Sequence, residues 1–328
     1  SACLWLRTAE RVLMEVGSFE AKSFDELYEG VKGIAWNEYL TPQSNIHVKG
    51  KSAKSGLFSV SDCQSITKKA IVESLKKSYR TGIITENGEE VIVEVGLLRD
   101  VATLALDCCG AGLSRRGYRT YNVAAPISET LGAAICLLSG YEAGSSVQFL
   151  DPMCGSGTMP IEAAMIANNM APGMNRAFAA ESWRFIPGTV FTAARDEAKA
   201  LELHGTLDIT GRDIDAHCID LCKLHAKKAG VMLNWQAKPL NELSSGDVKQ
   251  GAIIVCNPPY GERMLERKQA EQLYREMRPV FDNLPYRRLS IITSHTDFER
   301  VYGKRADKRR KLSNGGMPCT LYMYFHRQ

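Results

Sequence analysis

The sequence predicts a mixed α/β protein in which a doubly wound α/β domain follows a smaller α+β domain. Strand-like and helix-like segments alternate regularly in the second part of the chain, whereas the first part combines them in another order. A glycine-rich turn, FLDPMCGSGT, also stands between a strand and a helix of the alternating part. Ligands of doubly wound sheets bind at such positions, so the turn supports the same fold class.

The smaller domain is predicted to span residues 1–112. Apolar residues recur at helical spacing over residues 21–33 and again from Ser61 onward, which indicates two amphipathic helices. Residues 45–49 alternate in the manner of a strand. The runs VIVEVGLLRD and VATLALDCCG predict two further strands, which the Arg-Asp pair between them joins.

The larger domain is predicted to span residues 126–328 and to follow an arginine-rich linker at residues 113–125. Its first helix should begin near Pro126 and end near Ser139, because proline suits the first turn of a helix. Gly230 is expected to cap a later helix. The expected strands are VQFLD, LDITGRD, residues 234–238, AIIVCN, LSIITSH and TLYMYF.

Composition limits the classes of protein to consider. The net charge of +4 is too small for a general polycation, so any nucleic-acid surface must be local. No apolar run reaches the roughly 18 residues that a membrane helix needs, so no membrane partner is expected. The ten cysteines are irregularly spaced and the six histidines lack the spacing of metal ligands. We therefore expect a cytoplasmic protein with reduced thiols and no metal site.

The glycine-rich turn offers the groups that one particular cofactor requires. Gly155 and Gly157 would let a ligand lie against the backbone. Amides at the start of the next helix, with Ser156 or Thr158, would meet a carboxylate, while Asp151 would meet an ammonium group. A ligand with both groups is the methionine half of S-adenosylmethionine. The alternative is a plain glycine turn, since two glycines alone have poor specificity.

A second motif, GRDID, stands at the end of the next strand. An acidic residue at this position can accept hydrogen bonds from both ribose hydroxyls of a nucleoside cofactor. Asp213 lies where the strand should stop, so it is predicted to bind the ribose. Asp215 begins the next helix, where an N-cap role is at least as good an interpretation as ligand contact.

A third motif, NPPYGER, directly follows the apolar strand AIIVC. Two prolines hold the loop in one shape and leave its carbonyl groups free to accept hydrogen bonds. Asn257 adds a side-chain carbonyl, and Tyr260 adds a flat face for stacking. These groups suit an amine attached to an aromatic ring. Acceptors that grip its protons orient this weak nucleophile and stabilise the positive charge that develops on it.

Taken together, DPMCGSGT and NPPYGER resemble the THUMP-associated class I RNA methyltransferases, in particular the 23S rRNA guanine-N2 methyltransferases of the RlmL type. The segments RTAERVL, SFDELY, RRGYR, API-SETLGAAI and GKRADKRRKLSNG resemble the same family along the chain. The resemblance implies a THUMP-like RNA-binding domain followed by a Rossmann-like class I methyltransferase domain. THUMP domains usually follow a ferredoxin-like segment, so the N-terminal part is expected to be missing before Ser1.

The resemblance also implies roles for individual residues. The guanine amine would be held by Asn257, Pro258, Pro259 and Tyr260. S-adenosylmethionine would be bound by Asp151, Pro152, Cys154, Gly155, Ser156, Gly157, Thr158, Asp213, Ile214 and Asn257. Many relatives place an acidic residue after the third strand to contact the adenine, but Pro239 stands there in this chain. Adenine recognition is then expected from backbone groups, Asn241 or Glu242.

Two clusters of basic residues are predicted to contact RNA phosphates. The first lies in the linker and consists of Arg115, Arg116 and Arg119. The second lies between the last two strands and includes Lys308, Arg309 and Arg310. Ion pairs with acidic residues are an equal alternative for the linker arginines, and a solvated hairpin is the alternative for the later run.

The sequence therefore predicts an enzyme that transfers a methyl group from S-adenosylmethionine to N2 of a guanine in 23S rRNA. Nothing beside Cys154 would activate its thiol, so a covalent mechanism is not expected. A tRNA guanine-N2 methyltransferase is one alternative. NPPY also serves DNA adenine-N6 and protein glutamine methyltransferases, although the THUMP-like region and RRGYR argue against both. A non-catalytic RNA-binding or ribosome-assembly factor is the alternative from a different class.

Overall fold

The structure is a computed structural model that describes residues 1–119, 127–260 and 264–326. Within these ranges, no helix is long and apolar enough to cross a membrane. The chain divides into two compact units. Unit 1 consists of Ser1–Cys3, Glu10–Leu113 and Ala177–Asp196, and unit 2 consists of Leu4–Ala9, Ser114–Arg176 and Glu197–Gln328.

The first part of the chain forms four strands and two amphipathic helices, after a short helix α1 (Ala2–Trp5). The strands are β1 (Leu13–Glu20), β2 (Asn45–Ala53), β3 (Glu90–Leu98) and β4 (Val101–Asp107), and the helices are α2 (Phe24–Lys32) and α3 (Val60–Tyr79). The strands form one sheet of order β1-β4-β3-β2, in which β2 and β3 pair in parallel and the other neighbouring strands pair antiparallel.

Local signals explain several of these bounds. Helix α2 begins after Ser23, whose side chain accepts a hydrogen bond from the amide of Glu26 in a reciprocal capping box. The turn between β3 and β4 lies at the predicted Arg-Asp pair, where both residues have positive φ. Strand β1 was not predicted. Gly17 interrupts its alternation, and its pairing with β4 shifts between Glu15 and Gly17.

Unit 1 also contains a segment from the middle of the chain, Ala177–Asp196. The ring of Phe185 meets the ring of Tyr39 edge to face at 5.4 Å. The amide of Ala180 donates a hydrogen bond to the carbonyl of Cys108 at 3.2 Å. In sequence this segment falls within the range predicted for the larger domain, so the chain order alone does not show where it packs.

Unit 2 contains a seven-stranded sheet of which five strands are parallel. Its strands are β5 (Phe149–Asp151), β6 (Ile209–Asp213), β7 (Asn234–Ala237), β8 (Ala252–Cys256), β9 (Tyr286–Thr293), β10 (Lys308–Asn314) and β11 (Met317–Phe325). Its helices are α4 (Glu129–Leu138), α5 (Thr158–Ala167), α7 (Ala216–Ala229), α8 (Met264–Asp282) and α9 (Phe298–Tyr302). A further helix, α6 (Thr189–Ala200), begins in unit 1 and ends in unit 2.

The strand order β10-β11-β9-β8-β5-β6-β7 makes this a doubly wound sheet, as predicted. The winding reverses at β5, which pairs with β6 on one side and β8 on the other. Buried apolar clusters, one around Phe149 and one around Tyr274, lie against the sheet. Gly230 caps α7 in the left-handed conformation, as the sequence predicted. Helix α6 was not predicted.

Candidate active site

Three predicted motifs meet at one edge of the unit 2 sheet. Strand β5 ends at Asp151, strand β6 ends at Asp213, and Asn257 directly follows β8. These are neighbouring parallel strands, so their carboxyl ends face the same side of the sheet. The reversal of winding between β5 and β8 opens the crevice in which α/β sheets bind ligands.

Asp151 is completely buried at this edge. Its Oδ1 accepts a hydrogen bond from the amide of Met153 at 3.1 Å. Its Oδ2 has no hydrogen-bond partner among the described residues. Burial raises the pKa of this carboxyl well above its ordinary value, and the charge of Asp213 adds to the rise. Buried polar atoms usually have a hydrogen-bond partner, and the ammonium group of a ligand would supply one to this oxygen.

The backbone of Gly155 lies open beside Asp213. Gly155 has a φ of +52°, and a Cβ atom built on it would meet nothing within 4 Å. Its amide donates a hydrogen bond to Asp213 Oδ2 at 2.9 Å, and Asp213 Oδ1 accepts another from the amide of Asp215 at 3.0 Å. An exposed backbone beside an acceptor carboxylate fits the adenosyl and methionyl groups of S-adenosylmethionine.

The other glycines of the motifs serve close packing. A Cβ on Gly157 would lie 2.9 Å from the ring of Trp235 and 3.0 Å from Cys222 Sγ, and one on Gly211 would lie 2.3 Å from Trp235. Cys154 is buried with its Sγ 3.8 Å from Cys222 Sγ, and burial raises the pKa of its thiol. The thiol is therefore neutral and poorly suited to nucleophilic attack.

The remaining predicted cofactor residues differ in exposure. Pro152, Ser156 and Thr158 are buried in the turn and at the start of α5. The carbonyl of Ser156 lies 3.1 Å from Nδ1 of the buried His225, which holds the turn against α7. Ile214 is 76% exposed directly after Asp213, so its apolar side chain is available to a ligand at this edge.

The NPPY motif forms a hydrogen-bonded loop after β8. The hydroxyl group of Tyr260 donates to Asn257 Oδ1 at 2.7 Å. Pro258 is buried and Pro259 is exposed. The carbonyl of Pro259 accepts a hydrogen bond from the hydroxyl group of Tyr274 at 2.8 Å. A carbonyl oxygen has two lone pairs, so Asn257 can accept from Tyr260 and from a target amine at once.

Tyr274 is a supporting residue that the sequence did not reveal. It lies in α8, and its hydroxyl group is also 3.0 Å from Thr293 Oγ1 at the end of β9. Its helical spacing from Ala270, Met277 and Phe281 gives it the pattern of a core residue, and all four are buried. Only the fold shows that its hydroxyl group reaches the NPPY loop.

Two of the linker arginines form ion pairs with acidic residues inside unit 2 and do not contribute to an exposed basic surface. Arg116 is 2% exposed, and its Nε lies 3.4 Å from Oε1 of the buried Glu162. Arg119 pairs with Glu129 at 3.6 Å and donates a hydrogen bond to Thr158 Oγ1. The ion-pair alternative therefore describes both residues. Arg116 is buried and Arg119 is half-buried, which does not suit contact with phosphates. Of this cluster, Arg115 is exposed.

The later basic run forms strand β10, which pairs with β11 alone at the edge of the sheet. Lys308, Arg309 and Arg310 are exposed. Arg309 pairs with Glu299 at 2.7 Å. Two predicted segments lie partly outside the described residues. The parts that lie outside are residues 120–126, which contain the end of the linker and the expected helix start, and residues 261–263 of the NPPYGER motif.

Comparison with known proteins decides the family. Residues 116–323 match the model of the RMKL-like methyltransferase domain (UPF0020), and residues 21–107 match the THUMP domain. The chain belongs to the RMKL-like methyltransferase family. The predicted pairing of a THUMP domain with a class I RNA methyltransferase domain is confirmed.

Curated members of the family align along almost the whole chain. “Putative RNA methyltransferase YpsC” of Bacillus subtilis is 43% identical over 327 residues, which cover 99% of this chain and 84% of that protein. “Ribosomal RNA large subunit methyltransferase K/L” of Marinobacter nauticus is 31% identical over 98% of this chain. The match covers 46% of the K/L protein, so the chain spans less than half of that relative.

Solved structures share the fold and point to the methyl donor. A “predicted N6-adenine-specific DNA methylase” from Listeria monocytogenes is 43% identical with a TM-score of 0.92, covering 99% of this chain and 85% of that one. “SMU.472, a putative methyltransferase complexed with SAH” is 38% identical with a TM-score of 0.89, covering 100% and 87%. This RMKL-like methyltransferase uses S-adenosylmethionine, as predicted.

Proposed function

We propose that this RMKL-like methyltransferase transfers a methyl group to the exocyclic N2 amine of a guanine in structured RNA, with 23S rRNA as the substrate. The observation that carries the proposal is the position of Asn257. Its side-chain carbonyl follows β8, next to the β5 turn that would hold the cofactor. The THUMP match at residues 21–107 and the K/L relatives support RNA, and ribosomal RNA in particular.

Residues on two adjoining strands would hold the cofactor. Asp151 would accept from its ammonium group, the open backbone of Gly155 would lie against it, and Asp213 would accept from its ribose hydroxyls. When bound there, S-adenosylmethionine supplies an electrophilic methyl group on a sulfonium sulfur. The protein positions the methyl group and provides a fixed electrostatic environment for it, because Asp151, Gly155 and Asp213 are held at the ends of β5 and β6.

Asn257 and Tyr260 would act on the target amine. The lone pair of an exocyclic amine is delocalised into the purine ring, so the nitrogen is a weak nucleophile. The carbonyl oxygen of Asn257 would accept one of its protons, orient the lone pair and stabilise the developing positive charge. The hydroxyl group of Tyr260 holds that carbonyl in place by a hydrogen bond of 2.7 Å to Asn257 Oδ1. A paired guanine would leave its helix to reach this loop.

Exposed cations would hold the RNA backbone. Arg115 of the linker and the β10 cations Lys308 and Arg310 are exposed, and no ion pair joins Lys308 or Arg310 to an acidic residue of the described chain. Such a local basic strip suits phosphates without requiring a large net charge. Arg309 is partly engaged by Glu299, which makes it a weaker candidate.

The test is a map of methylated nucleosides in rRNA, tRNA and DNA from a strain that lacks the gene, with restoration by the wild-type protein. The proposal expects loss of one N2-methylguanosine in 23S rRNA. Loss from tRNA would move the substrate to the tRNA alternative, and loss of N6-methyladenine from DNA would contradict the proposal. A parallel titration with S-adenosylmethionine separates an enzyme from a non-catalytic factor, which would bind RNA without binding the cofactor.

A further inference from the structure

Strand β10 presents two different faces. Because side chains alternate along a strand, Arg310, Leu312 and Asn314 share one face, and Arg309 lies on the other. Across the ladder with β11, Arg310 pairs with Leu321, Leu312 with Cys319, and Asn314 with Met317. These β11 partners belong to, or pack against, the apolar cluster that also contacts the ring of Tyr260.

Tyr260 connects this face to the NPPY loop. Its ring packs against the buried cluster that contains Cys319 and Leu321, as do Leu312 and Met317. Its hydroxyl group donates to Asn257 Oδ1 at 2.7 Å. Burial and the neighbouring Cys319 raise the pKa of this hydroxyl, and the side chain of Asn314 opposes the rise. Strand β11 pairs Thr320 with Thr293 at the end of β9, and it pairs Met317, three residues earlier, with Asn314. Asn314 therefore lies beyond the carboxyl end of β9, at the same edge of the sheet as the NPPY loop that follows the neighbouring strand β8.

Asn314 lies directly before the turn of the hairpin that β10 and β11 form. The loop between β10 and β11 has two residues, Gly315 and Gly316, with φ of +57° and +91°. Both values are positive, as a tight two-residue hairpin turn needs, and glycine adopts them without strain. A Cβ on either glycine would meet nothing within 4 Å, so the surface beside Asn314 is open. The carboxamide of Asn314 is half-buried.

We propose that Asn314 is a base-recognition residue, whose carboxamide hydrogen-bonds with the ring edge of the purine that Asn257 holds by its amine. The inference rests on the proposed function and names a specificity-determining residue for it. The exposed Lys308 and Arg310 lie on the same face of β10, where they would hold the phosphates of the same strand.

The chemistry of a carboxamide matches guanine. Next to its N2 amine, guanine carries an N1–H donor and then the O6 acceptor. One carboxamide offers an acceptor and a donor side by side, so it can satisfy both groups. The neighbouring acceptor for the N2 amine, Asn257 Oδ1, is held in place by the hydroxyl group of Tyr260. A base without this donor and acceptor would leave a half-buried amide unpaired, which binding sites penalise strongly.

The experiment compares two RNA hairpins that carry the mapped target position, one with guanine and one with 2-aminopurine. 2-Aminopurine keeps the amine but lacks O6 and the N1 proton. Single-turnover rates are measured for the wild type, Asn314→Ala and the control Ser313→Ala, whose side chain is exposed on the other face of β10. Cofactor affinity and the midpoint of thermal unfolding are measured in parallel.

We expect the wild type to prefer guanine by about a hundredfold, and Asn314→Ala to lose about tenfold or more on guanine while its rate on 2-aminopurine stays unchanged. Ser313→Ala should keep both rates. An equal loss on both substrates, or no loss on either, would show that Asn314 is structural and would overturn the inference alone. If the wild type methylates no guanine in RNA, the proposed function and this inference both fail.

Discussion

The amide of Gly155 donates a hydrogen bond to Oδ2 of Asp213 at 2.9 Å, across 58 positions of the sequence. This bond joins the glycine turn after β5 to the acidic end of β6. The two motifs therefore form one surface, on which a single ligand can contact the open backbone of Gly155 and the carboxylate of Asp213 together.

Replacing Asp213 with alanine should weaken binding of S-adenosylmethionine by about tenfold or more, because a charged hydrogen bond contributes about 1.5–3 kcal/mol. Asp215→Asn is the matched control. Asp215 caps α7 by accepting from the amide of His217 at 2.9 Å, and asparagine caps a helix equally well. Calorimetry should show weaker binding only for Asp213→Ala. Equal affinities for the wild type and both variants would remove Asp213 from the cofactor site.

Gly155→Ala should reduce cofactor affinity through contact with the ligand rather than through backbone strain. Gly251→Ala controls for the strain. Gly251 has a φ of +82°, and a Cβ there also meets nothing within 4 Å. Both variants should lose about 1 kcal/mol of folding stability, the usual effect of alanine in the left-handed region. Only Gly155→Ala should bind S-adenosylmethionine more weakly, and an equal change in both variants would contradict a role for the open backbone at Gly155.

The sequence predicted the doubly wound sheet and the three motifs at its carboxyl edge, because strand-turn-helix patterns are local. It could not predict which linker arginines are accessible. Arg116 and Glu162 are 46 positions apart, and their ion pair depends on how the linker packs against α5. The position of residues 177–196 in unit 1 and the hydrogen bond from Tyr274 to the NPPY loop also depend on contacts between distant segments. Strand β1 was not predicted because Gly17 interrupts the alternation of side chains that indicates a strand.

Asp151→Asn should make the cofactor-free protein more stable than the wild type, by a margin that grows as the pH rises. The same change should weaken cofactor binding. Burial raises the folded-state pKa of Asp151 above its unfolded value of about 4. The group therefore contributes its full stability below about pH 4, and this contribution is lost as the pH rises through the raised pKa. Asparagine carries no charge at any of these pH values and still accepts from the amide of Met153.

Thermal unfolding of the cofactor-free proteins between about pH 5 and pH 8 tests this expectation. The difference in unfolding midpoint between Asp151→Asn and the wild type should grow in favour of the variant toward pH 8. Calorimetry should show weaker binding of S-adenosylmethionine to the variant. A midpoint difference that does not change with pH would mean that Asp151 keeps its ordinary pKa.

The two faces of β10 give different expectations for neighbouring arginines. Arg310 lies exposed on the face shared with Asn314, whereas Arg309 pairs with Glu299 at 2.7 Å. Arg310→Ala should weaken RNA binding and reduce the slope of log affinity against log salt by about one unit, the value for one lost phosphate contact. Arg309→Ala should change the slope less. Fluorescence anisotropy with 23S rRNA fragments between about 50 and 200 mM salt measures both. Identical slopes for the wild type and both variants would make β10 a solvated hairpin.

In the proposed function, the side-chain carbonyl of Asn257 holds the target amine. The bond from Tyr260 fixes this carbonyl beside the cofactor turn, and its contribution should be largest as charge develops during methyl transfer. Asn257→Ala should therefore change the rate of transfer far more than the affinity for S-adenosylmethionine, because Asp151, Gly155 and Asp213 remain. Asn283→Ala, a change at an exposed asparagine after α8, is the control.

The most direct measurement is single-turnover methyl transfer to RNA from the strain that lacks the modification, with cofactor binding measured on the same preparations. We expect Asn257→Ala to transfer at about one hundredth of the wild-type rate or less, with Asn283→Ala unchanged. A wild-type rate in Asn257→Ala, with cofactor binding intact, would show that NPPY is only a rigid turn and that the active site lies elsewhere.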